Sequence, residues 1–343
     1  MKKVLALLLC FVMIFTLWGC TETEEPPARR AKRPAEVTTE EVTEEVTEEV
    51  TEEVTEPEDA TPSSPILYKV TDEGGNTVYL LGSIHVGIEQ MYPFPDYVMD
   101  AYQSADALAV ECDVVAAAKD LGLAMDAAKM MVLTDGTKIN DHISPECYER
   151  AVEILKENKT YYSALDMYKP VMWYSLISTL AMENADTSSS LGVDQYLLEL
   201  AHDEDKTIYE VESIQEQYAL LGGLSMELQA VMLEEAVAMY DEPLYGMTIR
   251  GMCQAWADGN EEDILAQIDA GECVVPPEQA ALMEEFNTAL EGQRNVNMTQ
   301  YAKDCLESGE TVFIVVGAAH VLGDDGMAAC LAAEGYTVEQ VTQ

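Results

Sequence analysis

Val78-Tyr79-Leu80-Leu81-Gly82-Ser83-Ile84-His85-Val86 and Phe313-Ile314-Val315-Val316-Gly317-Ala318-Ala319-His320-Val321 repeat one pattern near opposite ends of the chain. Each is an aliphatic run of strand type, then a glycine, two small or apolar residues and a histidine. Glycine after a strand permits a tight turn or the close approach of another group. The histidine then projects near the strand's carboxyl end, the edge at which open α/β sheets place their ligands. Two shorter runs end in carboxylates: Ala107-Leu108-Ala109-Val110 in Glu111, and Thr207-Ile208-Tyr209-Glu210-Val211 in Glu212. If the four strands are parallel neighbours, two imidazoles and two carboxylates meet at one rim.

Working outward, Ile66–Thr71 and Thr77–Leu81 are aliphatic and β-branched around Asp72-Glu73-Gly74-Gly75-Asn76, which reads as a hairpin. Pro95–Ala105 reads as a short helix and Gly326–Glu334 as another, with Tyr336–Val341 a closing strand. Thr311–Val316 is the clearest strand of all. Between Ala116 and Asp304 the pattern is mostly helical, interrupted only by the strand at Thr207–Val211. Strands, a large helical middle and strands again predict an α/β domain, with α+β as the alternative. The N- and C-terminal strands would share one central sheet.

The 343 residues include 64 acidic and 18 basic ones, a formal charge of -46. That charge excludes a nucleic-acid binder and polybasic docking onto anionic lipid. Hydrophobic residues make up 48%, enough for a sizeable core.

The first 19 residues read as a signal peptide: Lys2 and Lys3, an apolar stretch from Val4 to Leu17, then Leu17-Trp18-Gly19-Cys20. The apolar stretch is short for a membrane span, which needs about 20 residues. The ending resembles the lipobox of bacterial lipoproteins, which implies cleavage before Cys20 and a diacylglyceryl group on its thiol. Residues 20–65 then form an acidic tether, with Thr-Glu-Glu-Val repeated from Thr39 to Val54 and a Pro/Ser-rich end. From residue 21 on, the tether carries 15 acidic and 4 basic residues, net -11. Valine every fourth residue drifts by about 40° per repeat on a helix, so a solvated, extended tether is expected. Residues 66–343 form the folded domain, with 49 acidic and 12 basic residues, net -37. The expected location is outside the cytoplasm, on the bacterial cell membrane.

The candidate site draws on His85, His320, Glu111 and Glu212. Two imidazoles and one or two carboxylates suit a divalent ion such as zinc, manganese, iron or cobalt. A carboxylate left off the metal would act as general base on bound water. The plain alternatives stand beside this reading. Polar residues are common where strands end, and Glu212 is also placed to cap a helix starting near Ser213. His142 and His202 lie in polar, loop-like contexts and read as solvated. Ser83 stands two residues before His85, with nothing to mark it as a nucleophile. Met125, Met130, Met131, Met226, Met232 and Met239 have spacing that suits core packing. Cys112, Cys147, Cys253, Cys273, Cys305 and Cys330 show no zinc-knuckle or redox-pair spacing, leaving three disulfides or reduced thiols as the options.

Leu80-Leu81-Gly82-Ser83-Ile84-His85-Val86-Gly87, Glu111 and Val315-Val316-Gly317-Ala318-Ala319-His320-Val321-Leu322-Gly323 together resemble the TraB/GumN family, which includes the Tiki metalloproteases. Gly192-Val193-Asp194, Glu212-Ser213 with Gln217, and Arg294-Asn295 add to the resemblance, which spans roughly residues 66–341. It implies a central sheet with a helical insertion, related to erythromycin-esterase-like (EreA) and haem-binding ChaN-like folds. It implies divalent-metal-dependent peptide cleavage, with His85 and His320 as ligands or catalytic groups and Glu111 as ligand or base. Arg294 would orient a carboxylate or polarise a carbonyl. Some bacterial members are linked to shutting down peptide-pheromone signalling.

The expected activity is therefore a membrane-tethered, metal-dependent hydrolase acting on a peptide or small-molecule substrate. Two alternatives use the same rim. In one, a histidine acts as general base in a metal-free, esterase-like hydrolysis. In the other, the domain sequesters a peptide or haem without turnover; lacking Cys-x-x-Cys-His, it would hold haem non-covalently.

Overall fold

A computed structural model of the protein describes residues 63–269 and 280–342. The expectations for the signal peptide, Cys20, nearly all of the tether and Cys273 lie outside the described residues.

The two repeated runs are adjacent strands. β2 (Thr77–Ser83) and β5 (Val312–Gly317) pair in parallel, from Val78 opposite Val312 to Ser83 opposite Gly317. β3 (Ala107–Val110) lies parallel to β5 on its other side, and β4 (Thr207–Glu210) parallel to β3. β1 (Leu67–Thr71) and β6 (Thr337–Val341) complete the sheet as antiparallel partners, β1 between β2 and β6. The order is β4-β3-β5-β2-β1-β6. Parallel central strands are covered on both faces and so read as continuous apolar runs. Val312 to Val316 and Ala107 to Val110 are accordingly buried throughout.

β4 departs from that rule. Thr207, Tyr209 and Glu210 are exposed, because the strand is a four-residue edge with a neighbour on one side only. The β1–β2 hairpin closes as expected: Asp72 accepts from Asn76 N–H at 2.8 Å through Oδ1, and Gly75 takes φ 87° in the left-handed region open to glycine.

Helices cover the sheet and form the middle of the chain. α1 (Asp96–Ser104) follows Pro95. α2 (Pro170–Glu183) is apolar on nearly every side and buried over most of its length, as such a helix must be. α3 (Val193–Asp203), α4 (Ile214–Gly223), α5 (Met226–Met239) and α6 (Pro243–Asp258) follow. α5 packs along α2, and Gln229, fully buried on α5, donates to Leu224 O at 2.7 Å and accepts from Val171 N–H at 3.3 Å. α7 (Gln293–Ser308) follows the π-helical segment Thr288–Gly292. α8 (Ala318–Val321) is a single turn directly after β5, and α9 (Met327–Ala333) leads into β6. The chain is thus mixed α/β. Among the described residues no helix is long and apolar enough to cross a membrane.

Several details differ from the sequence reading. Met131 and Met232 are core residues, but Met125 is exposed, because Leu121–Met130 turns that side to solvent. His202 is paired rather than merely solvated: its Nε2 lies 2.9 Å from Asp113 Oδ2. His142 Nε2 lies 2.6 Å from Thr137 Oγ1. Cys112, Cys147, Cys253, Cys305 and Cys330 are free thiols.

Candidate functional site

Four parallel strands end at one edge, and the residues that follow them stand in sheet order: Glu212 after β4, Glu111 after β3, His320 after β5, His85 after β2. Backbone pairing continues past β3 and β4, with Val211 N–H donating to Val110 O at 2.8 Å and Glu212 N–H to Glu111 O at 2.9 Å. The motif glycine Gly82 lies against α8, where a Cβ would meet Ala318 Cα at 2.9 Å. Gly87 allows the loop after β2 to join the loop before α3: Gly87 and Ser188 exchange backbone hydrogen bonds of 2.9 and 3.0 Å. A Cβ on Gly87 would fall on the Leu191 carbonyl. This stitching carries Asp194, near the start of α3, to His85.

Arg294 holds the two carboxylates together. Its Nη2 donates to Glu111 Oε2 at 2.7 Å and to Glu212 Oε2 at 2.8 Å, and its Nε donates to Glu212 Oε1 at 2.7 Å. Its Nη1 donates to Leu290 O, in the π-helical segment, at 3.0 Å. Gln217 on α4 donates from Nε2 to both acids, at 3.1 Å to Glu111 and 3.2 Å to Glu212. Glu111 Oε1 accepts from Gly317 N–H at 2.7 Å. Burial works against the Glu111 anion, but Arg294, His320, His85 and the Gly317 N–H outweigh it and hold the carboxyl down at about 2. Glu212 does not cap α4. Ser213 does so, accepting from Glu216 N–H at 3.2 Å in a capping box.

Each imidazole has one nitrogen fixed by an oxygen. His85 Nδ1 lies 3.0 Å from Asp194 Oδ1, with both side chains buried. Burial favours neutral His85, yet Asp194, with help from Glu111, outweighs it and raises the imidazole above its usual value. His320 Nδ1 lies 2.6 Å from Asn295 Oδ1 on α7. Asn295 Nδ2 donates to Asp325 O at 3.3 Å, so the carboxamide turns its oxygen to the ring. His320 therefore carries its proton on Nδ1 and leaves Nε2 bare. Burial pushes this imidazole down to about 4 despite Glu111, and Arg294 and His85 push the same way.

His85, Glu111 and His320 retain only 8%, 4% and 4% of their exposure, whereas the Arg294 and Glu212 side chains keep 13% and 15%. The structure brings together all five residues singled out in the sequence: His85, Glu111, Glu212, Arg294 and His320. It adds Asp194, Gln217 and Asn295 as groups that orient them. Those three stood in the family-like blocks, but nothing in their spacing assigned them a partner.

The expected divalent ion lacks a full donor set at the rim. Among the described residues, no three His, Cys, Asp or Glu side chains are placed to hold one together. Glu111 and Glu212 turn their oxygens to Arg294, Gln217 and a backbone N–H, leaving two imidazole nitrogens without a third donor. The side chains as placed do not fit a metal cage.

A family model described as the TraB/PrgY/gumN family matches residues 66–340. Two curated relatives, both described as "Uncharacterized protein YbaP", come from Escherichia coli (strain K12) and Shigella flexneri. Each is 26% identical over 155 residues, which cover 44% of this chain and 54% of the relative. The chain therefore spans about half the length of the curated relatives it matches. No solved structure matches it. The span matched by the family begins just before β1 and ends within β6, so it takes in the sheet but for the last residue of β6, and every residue of the rim. The chain belongs to the TraB/PrgY/gumN family.

Proposed function

We propose that this protein is a hydrolase acting on peptide substrates outside the cytoplasm, with bond cleavage at the rim formed by His85, Glu111 and His320. The observation that carries the reading is the pair of imidazoles. Both are buried at one strand-end edge, each with Nδ1 fixed, and the same carboxylate acts on both. The resemblance of the two Gly-x-x-His segments to the Tiki metalloproteases supports peptide as the substrate class.

The two histidines have opposite tendencies, which divides the acid and base roles. His320, neutral and bare at Nε2, accepts a proton from water as the water oxygen attacks the substrate carbonyl. His85, held toward imidazolium by Asp194, donates its Nε2 proton to the departing amine nitrogen as the C–N bond breaks. The proton gained by His320 then replaces the one lost by His85, and water has been added across the bond. Glu111 stabilises both imidazolium forms, and Arg294 fixes Glu111.

The full chain is to be incubated with a pool of internally quenched fluorescent peptides. Cleavage is expected from the wild type and should be abolished in His85→Ala and in His320→Ala. Equal turnover in all three proteins refutes the reading.

A second reading, in which a divalent ion acts at the two imidazoles, requires a carboxylate to leave Arg294 and become the third donor; the oxygen acceptor behind each ring favours it. Metal-ligating histidines are oriented in this way. Loss of cleavage on chelator treatment, with about one divalent ion per chain by elemental analysis and none in His85→Ala, would select it. The N-terminal pattern supports membrane attachment through Cys20. Labelled palmitate should be incorporated by the wild type and not by Cys20→Ala, and label on the variant would refute the anchor.

A further inference from the structure

We propose that Ser83 is a further substrate-contacting residue of this site, its hydroxyl donating a hydrogen bond to the carbonyl oxygen of the bond being cleaved. The inference rests on the hydrolytic reading above.

Ser83 is the last residue of β2, 2% exposed, and its Oγ has no hydrogen-bond partner among the described residues. A buried hydroxyl left unpaired is destabilising, so its retention calls for a reason. Ser178, Tyr245 and Thr299 also carry unpaired buried hydroxyls, but they lie on helices α2, α6 and α7. Of the four, Ser83 is the one in a strand, at the carboxyl end of β2.

The register shows which way it faces. Ser83 pairs with Gly317, and paired residues of neighbouring strands present their side chains on the same face. A Cβ on Gly317 would stand 3.3 Å from Glu111 Oε1 and 3.5 Å from His320 Cδ2. The face shared by Ser83 and Gly317 therefore opens onto the Glu111 carboxylate and the His320 ring. Gly317 has no side chain to fill that space, and its N–H already donates to Glu111. Arg294 is likewise committed to the two carboxylates. The Ser83 O–H is thus an uncommitted donor on the face that opens toward the proposed base.

The test compares wild type, His85→Ala and Ser83→Ala as full-length chains on one quenched fluorescent peptide that the wild type cleaves, with kcat, KM and melting temperature measured for each. Losing one such donor typically lowers kcat by about 100-fold or more. That fall is expected for Ser83→Ala, with KM little changed and an unchanged or higher melting temperature, because no protein partner is lost. Unchanged kcat in Ser83→Ala, with activity lost in His85→Ala, overturns the inference and leaves the hydrolytic reading standing. A fall in kcat accompanied by a lower melting temperature assigns Ser83 to packing and also overturns it. No peptide cleavage by the wild type refutes both.

Discussion

Replacing Arg294 by methionine would leave Glu111 and Glu212 side by side with Gln217 between them and no guanidinium to pair them. The wild-type guanidinium donates to both at 2.7–2.8 Å, and the Glu111 side chain is 5% exposed. Breaking a buried ion pair by removing one partner typically costs about 3–5 kcal/mol. The Glu111 carboxyl, held from 4.5 down to about 2, gives a similar scale. At about 1.4 kcal/mol per unit that is on the order of 3 kcal/mol, shared among Arg294, the two histidines and the Gly317 N–H. For a domain of this size 1 kcal/mol moves the melting temperature by about 2–4 °C, so Arg294→Met should melt roughly 10 °C below wild type at pH 7. The pH dependence has a definite sign. In the wild type the depressed Glu111 contributes stability above pH 4.5 and loses it as pH falls toward 2. In the variant the carboxyl titrates higher, so acidification removes the unpaired charge and the gap to wild type narrows between pH 7 and 5. Adding Glu111→Gln should restore much of the loss at pH 7. Thermal melts of the single and double variants at both pH values are the assay. A single variant that melts with the wild type at pH 7, or a gap that does not narrow on acidification, would refute the reasoning.

Asp194→Asn removes the charge that holds a proton on His85, so the imidazolium form should be lost at lower pH. The alkaline limb of kcat/KM should move toward acid; an unmoved limb would argue against His85 as the general acid. Gly87→Ala drives a Cβ onto the Leu191 carbonyl, and overpacking of this kind costs about 1–3 kcal/mol. The variant should melt lower and cleave peptide more slowly, because the loop carrying Asp194 is pushed from His85. Wild-type melting and turnover would show that the stitching does not set the site.

Much of the fold is legible in local sequence because buried parallel strands need unbroken apolar residues. Thr-Val-Phe-Ile-Val-Val at 311–316 and the hairpin around Gly74-Gly75 sit within a residue or two of their places in the structure. Boundaries shift where pairing, not composition, ends a strand: β2 runs on to Ser83 because Gly317 of β5 is there to receive it. The exposure of β4 was hidden, since an edge position depends on which strand has no second neighbour. At the site, His85, His320 and Glu111 were legible because a polar residue after an apolar run stands out. Asp194, Gln217 and Asn295 were not. Each begins a helix or sits one turn into it, and its role depends on a partner more than 20 positions away.

The sequence by itself determined which segments become strands, that their carboxyl ends carry histidine or glutamate, and that the chain is strongly acidic. Those properties follow from local composition and from a repeated glycine spacing. Only the tertiary structure decided that β3, β5 and β2 lie side by side in that order, and that Arg294 joins Glu111 to Glu212. Nor could local residues decide that one histidine backs onto a carboxylate and the other onto a carboxamide. Hydrogen bonding and charge act through space at about 3 Å, so the chemical state of each group is set by neighbours the chain brings from far along its length.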